Sequence, residues 1–512
     1  MSTLLLALLT AAASGDPRIP ATGFVYHDAN GNGRLDAHEL GLAGVRVSNG
    51  REVALTDAEG RWRLPVGDDA VLFVIKPRGW RTPTDADGIP RFHYVHKPEG
   101  SPPLTYRGVR PTGPLPDSID FPLYPQEEPE SFEVLVFGDT QPRDLREVDY
   151  IAHDVVEPLI GDDAAFGLTL GDVVFDRLDL YPALNGVVGQ IGLPWYNVHG
   201  NHDMNYDSPD DEHSDETWER VYGPPSYSFD YGPVHFVVMD TVVWYGAKGD
   251  QRGRYEGGFS PRLLDFVKND LAHVPEEALV VFLTHIPLTD TVNAADFYAL
   301  IADRPHLLAL SAHRHFQAQS YLGADRGWPG ARPLHQVICA TVCGSWWTGA
   351  PDERGIPHAT MGDGAPNGHL RFRFDGNSYS FEFRAAARPA EHQMAIHAPH
   401  AAPAGTAATV HANVFAGSER SVVELRLGGE GPWLPMLRVE APDPLYAEAR
   451  AREEALAPRP GRSLPEPYPS SHLWRAELPL DVEPGVRAIE VRTVDAFGSS
   501  HADRRLIRVL PR

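Results

Sequence analysis

Five short apolar runs in this chain each end in a polar residue able to hold a metal ion or meet an anion. Residues 134–137 lead into Gly138-Asp139-Thr140-Gln141, and 167–170 into Gly171-Asp172. The run ending at Val198 leads into Gly200-Asn201-His202-Asp203. Residues 279–283 lead into Thr284-His285, and 307–310 into Ser311-Ala312-His313-Arg314-His315. These runs have the length and β-branched content of buried strands. Between them lie stretches of helical spacing. One carries Leu145, Val148, Ala152, Val155 and Leu159; another carries Leu264, Val267, Leu271 and Val274 behind the capping pair Ser260-Pro261. Strands alternating with helices predict a layered α/β domain. In such sheets ligands bind at the carboxyl ends of the strands. A glycine ahead of the Asp or Asn lets the backbone turn tightly there.

The chain of 512 residues is too long for one core and predicts two to four domains. Gly and Pro, 47 each, predict many turns and much β-structure outside the α/β unit. Residues 20–125 alternate short β-like runs with Gly, Pro and Asp turns and end in a proline-rich, acidic linker. The α/β unit occupies 131–386. Residues 390–512 read as a β-sandwich, with one helix over 446–456. Residues 1–15 carry an apolar run followed by small residues, the pattern of a signal peptide, and predict a periplasmic or secreted protein. No later run reaches the ~18 apolar residues of a membrane helix. A net charge of −25 opposes a nucleic-acid scaffold as partner. The two cysteines, Cys339 and Cys343, are too far apart in an extended strand to pair, and buried free thiols are expected.

The residues at the five strand ends fit one another chemically. Asp139, Gln141, Asp172, Asn201, His285, His313 and His315 offer oxygen and imidazole ligands without thiolate. That set suits divalent Mn, Fe or Zn rather than a structural zinc site. Seven ligands exceed the need of one ion and match two, which a bridging carboxylate would hold ~3.5–4 Å apart. Two divalent ions against two carboxylates leave the site positive, ready for a phosphoryl group.

The motif order D-x-[H/Q], G-D, G-N-H-[D/E], H, [G/S]-x-H-x-H resembles that of calcineurin-like metallophosphoesterases. The resemblance implies one ion on Asp139, Gln141, Asp172 and His315. It implies another on Asp172, Asn201, His285 and His313, with Asp172 bridging. His202 would be the non-ligand histidine that protonates the leaving oxygen, oriented by Asp176 or Asp203. The fold implied is a calcineurin-like αββα sandwich flanked by two β-sandwich domains, as in the three-part bacterial form. The reaction implied is in-line hydrolysis of a phosphate ester by a hydroxide acidified on the metals. Gln141 stands where many members have His, which favours Mn or Fe(II) over Zn. Ser311 stands where the last motif usually has Gly.

The acidic surface favours small or lipid-derived phosphate esters over polyanions. Phosphodiester chemistry on nucleotides or lipid head groups would share the same site. A surface or carbohydrate-binding protein on a decayed core is the non-catalytic alternative. Trp346 and Trp347, in a loop resembling that of the three-part form, either wall a substrate pocket or pack beneath the loop. His199 either packs or supports the Gly-Asn-His motif, and His153, His273 and His306 read as surface or packing residues. Residues 207–216 read as a solvated acidic loop or a lid. Residues 28–39 place Asp28, Asn30, Asn32, Asp36 and Glu39 in the pattern of an EF-hand loop. With the stretch 56–60 this unit resembles B-type repeats of bacterial adhesins. The loop is either a structural calcium site or a polar turn without an ion.

Overall fold

The strand Ser131–Phe137 is central to one of two facing sheets. It pairs in parallel with Phe166–Thr169 and antiparallel with Gly368–Asp375. Trp195–Asn197 and Ser378–Ala385 form the edges of this five-stranded sheet. The second sheet runs in the order Tyr227–Tyr231, Val234–Met239, Leu279–Thr284, Leu307–Ser311, Leu334–Ile338, Ala318–Leu322. Its four inner strands are mutually parallel. The computed structural model describes residues 18–246, 253–429, 431–459 and 461–512. The leader read at residues 1–15 lies outside them.

Period-two alternation sorts the side chains of Ser131–Phe137. Val134 and Val136 point between the sheets, in one cluster with Phe166, Phe236, Leu370 and Phe372. Leu135 and Phe137 point outward, against Ile151, Val155, Leu184 and Val188. Helices therefore cover the outer faces, giving helix–sheet–sheet–helix layering. Pro261–Leu271 packs on the second sheet, with Ser260 accepting a hydrogen bond from the Leu263 N–H as its cap. The helix expected over 145–159 forms over that span but changes pitch. Leu145–Ile151 is α-helical, Ala152–Val156 is a π-turn and Glu157–Leu159 is 3₁₀. Asp154, buried in the wide turn, accepts hydrogen bonds from Arg354 and Asn367.

The N-terminal unit is a pair of four-stranded sheets, and the C-terminal unit pairs a four- with a five-stranded sheet. The C-terminal helix runs Pro444–Glu454, capped by Asp443. Arg46 of the N-terminal unit reaches Asp230 (2.5 Å) and Asp270 (2.8 Å) of the central unit. His235 lies between the same two carboxylates, at 2.7 and 2.9 Å. The acidic stretch 207–216 is tied down rather than free. Asp207 accepts from Thr105, and Glu216 meets Ser101 and Lys97. Lys97, 3% exposed, needs the carboxylates of Asp69, Glu216 and Glu219 to offset its desolvation. Cys339 and Cys343 are free and buried. Among the described residues no helix is long and apolar enough to cross a membrane.

Candidate metal centre

The parallel strands Ser131–Phe137, Phe166–Thr169, Trp195–Asn197, Leu279–Thr284 and Leu307–Ser311 end on one side of the two sheets. A parallel bridge between Gly138 and Thr341 joins the sheets at that end. Asp139, Gln141, Asp172, His313 and His315 all adopt positive φ, so their side chains leave the strand ends at sharp turns. Two glycines permit the close approach. A Cβ on Gly200 would lie 2.1 Å from the Asp172 nitrogen, and one on Gly171 2.6 Å from the His285 ring.

These turns bring the candidate ligands together. His285 Nε2 lies 3.2 Å from Asp172 Oδ1, 3.1 Å from Asn201 Oδ1 and 3.1 Å from His313 Nδ1. His315 Nε2 faces Asp139 Oδ1 at 3.6 Å. Backbone carbonyls fix two of the rings. His285 Nδ1 donates to Leu170 O, and His315 Nδ1 to Gly344 O. Each ring therefore turns Nε2 toward the cluster. Gln141 departs from its expected pose. Its amide nitrogen, not its oxygen, faces Asp172 Oδ2 at 2.9 Å, while its oxygen lies 3.8 Å from Cys343 Sγ. The Asp172 carboxylate draws an N–H donor, so a ligand role for Gln141 requires its amide to turn over.

The electrostatics suit a cation. Asp139 is wholly buried, and its Oδ1 accepts no hydrogen bond. Burial raises its carboxyl well above the ordinary range, and the nearby Asp172 charge adds to this. Burial also works to raise Asp172, but the charges of His285 and His202 hold it below the usual carboxylate range. Burial pushes His313 down to about 3 and His315 to about 4, keeping both imidazoles neutral and their lone pairs available. Burial would lower His285 too, but Asp172 outweighs it and lifts the ring to about 9. A buried carboxylate oxygen without a donor and two imidazole nitrogens face to face are the state of a ligand sphere that a metal ion would neutralise.

His202 stands beside this cluster, with Nδ1 2.6 Å from Asp176 Oδ1. Of the two carboxylates that the sequence left open as its orienting partner, Asp176 is therefore the one in contact. Asp203 turns inward, accepting from the N–H groups of Val173, Val174 and Gly200 and from the Tyr181 hydroxyl. Burial lifts its pKa to about 6. Phe175 stacks on the His202 ring, with centroids 4.4 Å apart. The Tyr206 hydroxyl donates to Asn201 O. Neither Phe175 nor Tyr206 belongs to a motif, and spacing alone does not find them.

The two tryptophans divide. The half-buried Trp346 stacks on His315 at 4.0 Å, whereas Trp347 is buried against Tyr150. His199 is buried, its Nδ1 3.2 Å from Asp240 and its ring edge-on to Trp218. His153 and His273 are exposed and His306 is half-buried.

The loop of residues 28–39 lies on the N-terminal unit and closes on itself. Asp28 accepts from the N–H groups of Gly31, Asn32 and Gly33 and from Tyr124. Asn30 and Asn32 both donate to Asp36, and Glu39 accepts from the N–H groups of Ala29 and Asp36. These bonds hold the loop as a closed polar turn, and Asp36, His38 and Glu39 converge within it closely enough to hold a cation.

Two family models match the chain: the C-terminal part of calcineurin-like phosphoesterase over residues 337–501, and the N-terminal part over 29–105. They flank the stretch from Asp139 to His315 that carries the site. The chain is a calcineurin-like phosphoesterase. No curated protein matches the sequence. Among solved structures, the purple acid phosphatase PPD1 from yellow lupin (Lupinus luteus) seeds shares 13% identity at a TM-score of 0.36. That likeness covers 67% of this chain and 66% of the lupin chain.

Proposed function

We propose that this calcineurin-like phosphoesterase is an exported enzyme that hydrolyses small or lipid-derived phosphate esters at a dinuclear centre. The observation that carries the reading is the convergence of Asp139, Asp172, Asn201, His285, His313 and His315, with a buried Asp139 oxygen left without a donor. Asp139, Gln141, Asp172 and His315 would hold one ion. Asp172, Asn201, His285 and His313 would hold the other. When bound, the ions supply Lewis-acid charge to the phosphoryl oxygens and an acidified water as nucleophile. With its amide turned over, the Gln141 oxygen would favour Mn or Fe(II) over Zn.

The remaining chemistry falls to the chain. Asn201 would add a dipole toward charge developing on the phosphoryl oxygens. His202 would carry the proton for the leaving oxygen on Nε2. Asp176 holds Nδ1–H and so steadies the imidazolium form. Burial opposes that charge, but Asp172 and Asp176 together raise the pKa of His202. Phe175 covers one ring face and limits its rotation. Diesters of nucleotides or lipid head groups would use the same groups.

The test is hydrolysis of an aryl phosphate monoester and a bis-aryl phosphodiester, run in parallel by metal-stripped protein reloaded with Mn. Turnover that vanishes in Asn201→Ala supports the reading and sorts the substrate class. No turnover of either ester by protein holding two ions overturns it. Export rests on residues 1–15 and is tested by fractionating expressing cells with and without them.

A further inference from the structure

We propose that a hollow beside the metal centre, bordered by Arg143, Arg146 and Arg462, binds a second anionic group of the substrate, with phosphate as the best fit. The inference rests on the hydrolase reading and narrows its substrate to organic phosphates carrying a further negative group. The hollow encloses about 480 Å³. Trp347 and Tyr150 give it an apolar wall.

Two of the arginines are fixed in place. Arg143 and Arg462 both reach Glu147 Oε1, at 3.4 and 2.5 Å, and both donate to the Trp346 carbonyl, at 3.2 and 2.8 Å. Glu147 is thereby shared between two guanidiniums. The other carboxylate of the hollow, Asp144, accepts from the Glu147 N–H as a helix cap. Arg146 is exposed and, among the described residues, makes neither an ion pair nor a hydrogen bond. In a chain of net charge −25, three guanidiniums on one hollow against two engaged carboxylates mark a local preference for an anion. A guanidinium offers a planar fork that matches phosphate oxygens.

Two contacts link the arginines of the hollow to the candidate site. Arg143 lies over Phe175 at 4.9 Å, and Phe175 stacks on His202. Trp346, whose carbonyl the arginines hold, stacks on His315. A substrate whose reacting phosphate sits among the histidines would reach past Trp346 to meet the arginines that hold its carbonyl and, in the same hollow, Arg146. Arg462 belongs to the C-terminal unit, so that unit would contribute directly to substrate choice.

The test has two arms. In the first, inorganic pyrophosphate is titrated calorimetrically into the metal-free full chain, its Arg146→Ala variant and, as control, Arg326→Ala. Affinity at least tenfold weaker in Arg146→Ala alone is expected; equal affinity in all three, or no binding, overturns the subsite. The second arm compares kcat/KM of the Mn-loaded enzyme for an aryl phosphodiester bearing a remote phosphate with that for an aryl monoester. Arg146→Ala is expected to lower this ratio about tenfold, and an unchanged ratio counts against the subsite. Arg146-dependent binding without any hydrolysis would leave the subsite standing and remove the hydrolase reading. Hydrolysis with both arms indifferent to Arg146 would do the reverse.

Discussion

His202 presents its two ring nitrogens to two different carboxylates, with Nδ1 2.6 Å from Asp176 Oδ1 and Nε2 4.0 Å from Asp172 Oδ2. The first contact is a hydrogen bond that orients the ring; the second leaves Nε2 facing the ligand cluster without being spent there. His202→Ala should keep both metals yet lose about 10²–10⁴-fold in turnover of esters with poor leaving groups. Esters with activated aryl leaving groups should be affected far less. Leaving-group dependence of kcat, with metal content measured alongside, checks this. Equal losses on both kinds of ester would sink the proton-donor role.

Gly200 tests how closely the turns must approach. A methyl group there meets the Asp172 backbone, which cannot move without displacing Asp172 itself. Gly200→Ala should weaken metal binding about 10–100-fold, the range typical of losing a group that orients a ligand. Calorimetric titration with Mn reads the effect. Wild-type affinity in this variant would show that Asp172 has more freedom than the packing implies.

The network of Arg46, Asp230, His235 and Asp270 predicts how docking of the N-terminal unit responds to pH. Burial would lower His235, but Asp270 and Asp230 raise it above its ordinary 6.5. Its contribution is complete below about 6.5 and is lost as pH rises through the elevated folded value. Asp230 behaves oppositely. Despite burial, His235 and Arg46 hold it at about 2, so its contribution is lost only as pH falls below 3.8 toward that value. Tm should therefore decline on the alkaline side of neutrality, and His235→Gln should flatten that decline. Arg46→Met should cost about 3–5 kcal/mol, because it leaves two buried carboxylates to share His235 alone. A wild-type Tm in Arg46→Met would contradict the account.

The loop of residues 28–39 is expected to behave as a turn. Adding calcium, or chelating it, should leave the melting of the N-terminal unit unchanged, because Asp28 and Glu39 are already engaged by backbone N–H groups. A calcium-dependent rise in its Tm, read by scanning calorimetry, would restore the ion-binding alternative.

The strand ends at Asp139, Asp172, Asn201, His285 and His313 were legible because apolar runs, glycines and ligand-type residues repeat in one order. The layering was legible because strand-like apolar runs alternate with stretches of helical spacing. What lay beyond reach depended on contacts distant in sequence. Asp176 and Asp203 are both near the motifs, and only the fold turns one toward His202 and the other inward. Trp346 and Trp347 are adjacent yet face opposite surroundings, because both sit in a positive-φ turn. The stretch 207–216 read as a solvated loop because its partners Lys97, Ser101 and Thr105 lie about a hundred residues earlier. The pitch change after Ile151 left the apolar spacing unaltered, so the pattern did not betray it.

The central claim is that Asp172 links two ions. It is tested most directly by stripping the chain, reloading it with Mn(II), and measuring bound metal together with its electron paramagnetic resonance spectrum. The account predicts two ions per chain with the spin coupling of a pair ~3.5–4 Å apart, and loss of that coupling in Asp172→Asn. A single ion per chain, or two ions that never couple, would contradict it.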